Sequence, residues 1–179
     1  EESFIKNVNF EMAEITNQNI QSRIRGTLLM ALANQDKHLL LSTGNKSELA
    51  VGYCTLYGDM NGGLSVIGDL YKSNVFKLCN WLDSKDSINH RKAYMLDINV
   101  NIIGENIRTK APSAELGPDQ LDTDSLPPYS ILDNILRGII EEKKDLKQLE
   151  EDGFKKDLIL KIITLIKKAE FKRKQAPPI

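Results

Sequence analysis

The stretch that most constrains this chain is an apolar run followed by a sharp turn. His38-Leu39-Leu40-Leu41-Ser42 is short and apolar, and Thr43-Gly44-Asn45 behind it is turn-prone. Such a run predicts a strand buried on both faces, as in a parallel sheet. Over residues 46–56, Leu49, Ala50, Tyr53 and Leu56 recur at helical spacing. Residues 16–33 predict a helix ahead of the strand: Ile20, Ile24, Leu28 and Ala31 repeat at helical spacing, and Leu29, Met30 and Leu32 widen the apolar face. Thr16 is its candidate cap. The unit reads helix, strand, sharp turn, helix.

The rest of the chain continues the alternation. Residues 58–63, Gly-Asp-Met-Asn-Gly-Gly, form a loop by composition. Residues 64–67 predict a second short strand, and 71–82 a helix with Val75, Leu78, Cys79 and Leu82 on one face. Residues 83–109 stay open, with 94–103 either a strand or an irregular excursion. Residues 110–129 hold Pro112, Pro118, Pro127 and Pro128 and predict a long loop. Three helices follow: 130–142 with Ile131, Ile135 and Ile139; 145–152 closed by Gly153; and 155–170 with Leu158, Ile162, Leu165, Ile166 and Ala169 on one face. Alternating strands and helices predict a layered α/β fold with a mainly parallel sheet.

Composition narrows the classes. With 179 residues the chain has the length of one domain, and 41% hydrophobic with 27% charged residues suits a packed soluble core. Basic and acidic residues number 24 and 25, a net charge of -1, which supplies no whole-protein field for nucleic acid or membrane. A local basic cluster lies at Lys167, Lys168, Lys172, Arg173 and Lys174. Cys54 and Cys79 have no metal-type spacing, which predicts reduced thiols in a cytoplasmic protein. No apolar run approaches a membrane span, and EESFIKNVNF lacks a secretory pattern. The first residue is Glu rather than Met, which leads us to expect a processed or truncated chain, or one beginning mid-protein.

Four stretches, in order, carry a family resemblance: NQNIQSRIRGTLLMALAN, LLLSTGNKSELAVGYCTLYGDMNGG, APSAELGPDQLDTDSLPPYSILDNIL and EFKRKQAPP. Together they resemble the NAD synthetases, and the LPPY and KRKQAPP portions look more like the large glutamine-dependent enzymes than the small ammonia-dependent ones. The resemblance implies a doubly wound, mainly parallel α/β sheet of the ATP pyrophosphatase (adenine nucleotide alpha hydrolase-like) type, with a helical C-terminal region. It implies a homodimeric ligase of NAD biosynthesis. With ATP and magnesium, the family adenylates the nicotinate carboxylate of deamido-NAD, and ammonia, free or derived from glutamine, then displaces AMP.

Individual residues have a physical reading beside the one the resemblance implies. Thr43 ends the first strand, where open α/β sheets bind ligands; the resemblance makes it an ATP contact, and the bland alternative is a cap for the next helix. Glu48 lies in the first turns of that helix. The resemblance makes it a magnesium and deamido-NAD contact, against a surface glutamate favoured by the helix dipole. Asn19 and Arg23 are four apart and share a helix face; the resemblance assigns both to deamido-NAD, against a solvated polar face. Lys72 opens a helix, where a cation is mismatched to the dipole unless an anion sits there. It matches a family lysine on ATP, and Ser113 matches a family hydroxyl on the nucleotide, against a turn residue. Lys172 matches a lysine on deamido-NAD, against a basic last helical turn. His38 and His90 have no partners at catalytic or metal spacing, and Gly58, Gly62 and Gly63 form no nucleotide fingerprint.

Residues 1–179 therefore read as a ligase domain without the family's SGGxDS segment, whose backbone would cradle ATP phosphates. The glutamine amidase half is also not among these residues. The chain is expected to be a C-terminal fragment of a larger enzyme, a decayed or split gene product, or one subunit completed by another. By itself it is expected to make no NAD. A non-catalytic nucleotide-binding or dimerisation module is the alternative, and another ATP pyrophosphatase a weaker one.

Overall fold

The computed structural model describes residues 13–99 and 101–179. The first ten residues, read above for a secretory pattern, lie outside them, as does residue 100 within the 94–103 stretch. Helix α1 (Glu14–Asp36) begins two residues before Thr16 with Ala13 at its N-cap, so Thr16 is interior and caps nothing. Its burial also departs from the sequence reading. The small residues Ser22, Gly26 and Ala33 face inward, while Ile24, Leu28, Leu29 and Leu32 are exposed, Leu28 at 61%. Close backbone approach explains the orientation. A Cβ on Gly26 would lie 2.7 Å from the Gly58 carbonyl oxygen, so α1 seats its glycine against the 58–63 loop.

Strands β1 (Leu41–Ser42) and β2 (Leu64–Ser65) pair in parallel, Leu41 with Leu64 and Ser42 with Ser65. Both are shorter than their apolar runs. The C-terminal tail is tied to this sheet where the Ser65 N–H donates to the Pro178 carbonyl at 2.8 Å. Helix α2 (Lys46–Val51) stops at Gly52, not at residue 56. Gly52 adopts φ 76°, and a Cβ there would lie 2.7 Å from that of Ala169. The helix must therefore end where the chain turns left-handed beneath the C-terminal helices.

Helix α3 (Lys72–Leu82) is capped from outside: the Lys72 N–H donates to Ser47 Oγ at 2.9 Å and the Ser73 N–H to Asp133 Oδ2 at 2.8 Å. Beyond a 3-10 turn (Lys85–Ser87) come α4 (Ile88–Ala93) and α5 (Glu105–Thr109). The described residues between them are turns and bends, which settles the excursion as irregular. Asp83 anchors its return, accepting from the N–H groups of Ile103 and Gly104 at 3.1 and 2.9 Å and pairing with Arg108 at 3.0 Å. The proline-rich loop contains a 3-10 turn (Asp122–Asp124) and leads into α6 (Tyr129–Ile140). Then follow α7 (Leu146–Glu151), α8 (Lys156–Lys168) and α9 (Glu170–Arg173).

The core lies between α2, α6 and α8. Leu132, Ile135, Leu136 and Ile162 are fully buried and pack with Ala50, Val51, Tyr71, Leu126 and Tyr129. Each large apolar side chain buried there contributes about 1.5–3 kcal/mol. This cluster fixes α2, and with it the turn at the carboxyl end of β1.

Candidate functional site

Cavities of mixed polar and apolar lining open where β1 ends. One, of about 270 Å³, is lined by Thr43 together with Ser22, Arg25, Gly58, Asp59 and Asn61. A neighbour of about 250 Å³ is lined by Asn19, Thr55, Asp59, Gln120 and Lys172. Asp59, Ala114 and Leu116 border both. A third, of about 230 Å³, lies between α3 and the 110–115 stretch and brings Lys72 and Ser113 together.

Thr43 is exposed and is not the cap of α2. Asn45 is: its side chain accepts from the Glu48 N–H at 3.1 Å, and Glu48 Oε2 accepts from the Asn45 N–H at 3.3 Å. This reciprocal capping box satisfies two backbone donors and leaves the Thr43 hydroxyl to the cavity. Glu48 Oε1 is held by the Lys72 ammonium at 2.8 Å, so Glu48 is half-buried and engaged rather than a surface residue. The same ammonium stands 5.6 Å over the Tyr129 ring. Lys72 is thus fixed by a carboxylate and an aromatic face at the start of α3.

Asn19 and Arg23 share a face, as their spacing predicts. The Thr55 hydroxyl donates to Asn19 Oδ1 at 3.0 Å, and Arg23 Nε donates to the Leu56 carbonyl at 3.2 Å. Arg23 lines none of the three cavities. The Lys172 ammonium donates to the carbonyls of Gly52 at 2.8 Å and Cys54 at 2.6 Å, beyond the end of α2. An ammonium has three donors, so one stays free for the cavity. Ser113 Oγ accepts from the Glu115 N–H at 3.0 Å, a turn contact that leaves the hydroxyl proton free. The loop carrying Ser113 is pinned over the site by Arg25, which donates to the Glu115 carbonyl at 2.9 Å, and by the Lys110–Glu115 ion pair.

Three groups escaped the sequence reading. Asp59 sits where two cavities meet; its Oδ1 accepts from the Thr55 N–H at 2.6 Å. Part of the residue is exposed, but the protein packed around its carboxyl desolvates it and raises its pKa, with the nearby Glu48 charge adding to the shift and the Thr55 bond opposing it. Asp133 is buried and bonds the Ser47 hydroxyl at 2.5 Å as well as α3. Asp122, also buried, accepts from the Tyr129 hydroxyl at 2.8 Å. Asp133 bonds Ser47 from 86 positions away, which leaves no spacing to read, whereas Asp59 and Asp122 have near partners that no motif marked; the Asn45-x-x-Glu48 capping box was a local signal that the reading of Thr43 as the cap passed over.

The cysteines are free thiols, and burial pushes Cys54 up to about 12, which makes it no nucleophile. His90 packs edge-on against Trp81, ring centroids 5.2 Å apart, a structural role.

A parallel pair of strands with cavities at its carboxyl end and helices around it defines a layered α/β protein, a class in which ligands are bound at that end of the sheet. The family model for NAD synthase matches residues 2–176, and the chain belongs to that family. It is 53% identical over 169 residues to the glutamine-dependent NAD(+) synthetase of Synechocystis sp., covering 94% of this chain and 27% of that protein. Among solved structures it is similar to the NMN synthetase of Francisella tularensis, with TM-score 0.72, 26% identity, and 96% and 59% of the two chains covered. It is also similar to the glutamine-dependent NAD+ synthetase of Acinetobacter baumannii in complex with ADP, with TM-score 0.51, 38% identity, and 98% and 29% covered. The chain spans just over a quarter of the length of the curated relatives it matches. Its short parallel sheet with many helices is an incomplete form of the ATP pyrophosphatase-like fold.

Proposed function

We propose that this chain is the C-terminal part of a ligase domain that makes NAD by ATP-dependent amidation of deamido-NAD. The observation that carries the reading is Lys72, which shares one cavity with Ser113 and pairs at 2.8 Å with Glu48 behind it, while Asn19 and Lys172 share another cavity. Thr43, Lys72 and Ser113 hold ATP; Asn19, Arg23, Glu48 and Lys172 hold deamido-NAD. Arg23 keeps its two terminal guanidinium nitrogens free of the Leu56 contact, so it can still meet a phosphate or carboxylate.

A nicotinate carboxylate oxygen attacks the α-phosphorus of ATP, and the bond to pyrophosphate breaks. Ammonia then attacks the adenylated carbonyl carbon, AMP leaves, and the nitrogen sheds a proton. Asp59, with its raised pKa beside both cavities, accepts that proton. No cluster of three metal-type side chains occurs among the described residues. Glu48 would hold magnesium together with the phosphates of ATP, since magnesium needs only one or two protein carboxylates. Magnesium there would supply charge neutralisation on the phosphates.

The names of the relatives support glutamine as the source of ammonia, through an amidase outside these residues. The reading carries with it a cytoplasmic homodimer. No helix among the described residues is long and apolar enough to cross a membrane.

The test is an NAD-forming assay with deamido-NAD, ATP–magnesium and ammonia. The chain alone is expected to show no turnover. A longer form that includes an upstream SGGxDS segment is expected to make NAD and to lose activity with Glu48→Ala. Inactivity of the longer form, or a clear preference for the mononucleotide over the dinucleotide, would overturn the reading.

A further inference from the structure

We propose that Asp122 is a positioning residue that sets both walls of the cavity between Lys72 and Ser113. The inference rests on the ligase reading for its consequence in nucleotide binding, but its structural part stands separately. Asp122 is 3% exposed and lies in the 3-10 turn within the proline-rich loop. Its Oδ2 accepts from the Tyr129 hydroxyl at 2.8 Å, and the ring of Tyr129 is the face over which the Lys72 ammonium stands. That contact sets the helix wall. The Asp122 N–H donates to the Pro112 carbonyl at 3.0 Å, next to Ser113. That second contact closes residues 112–122 into a loop and sets the other wall.

A neutral residue could close the loop through its backbone alone. A buried carboxylate is a costly way to do so unless its charge is used. Here the charge faces two phenols. Burial and Asp122 push Tyr53 up to about 12, and Tyr129 is raised as well, by burial first and then by Glu48 and Asp122. Both phenols therefore stay protonated, and Tyr129 remains a donor. Asp122 Oδ1 has no hydrogen-bond partner among the described residues. The Tyr129 hydroxyl, at 2.8 Å, is the well-formed hydrogen bond on this carboxylate, with the Tyr53 phenol facing it as a second, weaker partner, and the backbone of Asp122 moves with it. Residues 113–116 hang from that closure and line all three cavities.

Tyr129→Phe removes one hydroxyl and keeps the ring. Asp122→Asn keeps an acceptor for Tyr129 but removes the charge. Amide hydrogen exchange and calorimetric titration with ATP–magnesium, on the same chain, read the two consequences. Tyr129→Phe is expected to speed exchange over residues 112–122 while α8 keeps its protection, and to weaken ATP–magnesium binding about tenfold, the scale of one hydrogen bond to a charged group. Asp122→Asn is expected to fall between Tyr129→Phe and the unsubstituted chain on both measures. Faster exchange spread evenly over α6 and α8 would show a mere core contact and overturn the proposal. So would loop-confined exchange with unchanged affinity. If the unsubstituted chain binds no ATP–magnesium, the phosphate-cradling segment outside these residues is needed for binding, the ligase reading is left to the longer form, and exchange alone decides: loop-confined acceleration supports the positioning role, and none overturns it.

Discussion

The ammonium of Lys72 and the carboxylate of Glu48 meet at 2.8 Å across two helix N-termini, with side chains only 21% and 17% exposed. Glu48 performs two tasks, since its other oxygen closes the capping box on Asn45. The two separate by substitution. Glutamine can still reciprocate a capping box. Glu48→Gln is expected to cost about 1–2 kcal/mol, between the worth of exposed and buried pairs. Glu48→Ala is expected to cost about 1 kcal/mol more, through the lost cap. Urea unfolding of both variants checks this, and equal midpoints would mean the capping contact contributes nothing.

Asp133 is expected to be the costliest polar position in the core. It is 2% exposed, and its two oxygens serve Ser47 and the first turn of α3. Asp133→Ala orphans the Ser73 N–H and leaves the Ser47 hydroxyl without its acceptor. A loss of about 3–5 kcal/mol is expected from breaking such a buried charged network. Ser47→Ala removes one arm and is expected to cost less than half as much, measured by the same unfolding experiment.

These contacts mark the limit of what the sequence disclosed. The stripe Ile131, Ile135, Ile139 predicted α6 almost to its ends, although Ile131 is exposed and the buried face is formed by Leu132, Ile135 and Leu136. The same reasoning placed α1 but turned it the wrong way, since the Gly26–Gly58 approach that orients it is tertiary. The strands were legible as runs and shortened by pairing, which depends on a neighbour. Thr43, Lys72, Ser113, Asn19 and Lys172 do line cavities near one another, whereas Arg23 stands beside them on the Leu56 carbonyl. Asp59, Asp122 and Asp133 could not be read. A lone carboxylate in a loop or helix looks solvated until its partners are known.

The exposed face of α1 has a consequence in solution. Ile24, Leu28, Leu29 and Leu32 lie exposed on one helix, and Leu29 shares a cavity with the exposed Leu41. Contiguous apolar surface of this kind associates. Leu28→Lys with Leu32→Lys is expected to reduce self-association of the chain in sedimentation experiments without lowering its melting temperature, because neither side chain is buried. A lower melting temperature would mean that the face is already covered.

Asp59 gives a pH signature. Its folded pKa is raised by desolvation. Between its ordinary value of 3.8 and that raised value, the folded state binds more protons than the unfolded one, so stability falls as pH rises through this window. Asp59→Asn removes the penalty and can still accept from the Thr55 N–H. The variant is expected to be more stable than the unsubstituted chain at neutral pH, with the gain disappearing as pH falls to the ordinary carboxylate range. In the longer ligase it is expected to lower the amidation rate. A stability gain that persists unchanged at low pH would refute the desolvation of this carboxyl.

Lys172 and Gly52 form the last testable unit. The Lys172 ammonium satisfies the carbonyls of Gly52 and Cys54, and Gly52 supplies the left-handed turn, φ 76°, that brings both within reach. Gly52→Ala meets two penalties together, the positive φ and a Cβ 2.7 Å from that of Ala169. A cost of about 2–3 kcal/mol is expected. Lys172→Met keeps an apolar stem but leaves the two carbonyls unpaired, at about 1–3 kcal/mol. Because the alanine Cβ would push the Ala169–Lys172 segment away, the second loss is already contained in the first. The double variant is therefore expected to fall short of the sum by about 1 kcal/mol. Strict additivity in thermal or urea unfolding would show that Lys172 is held independently of the turn at Gly52.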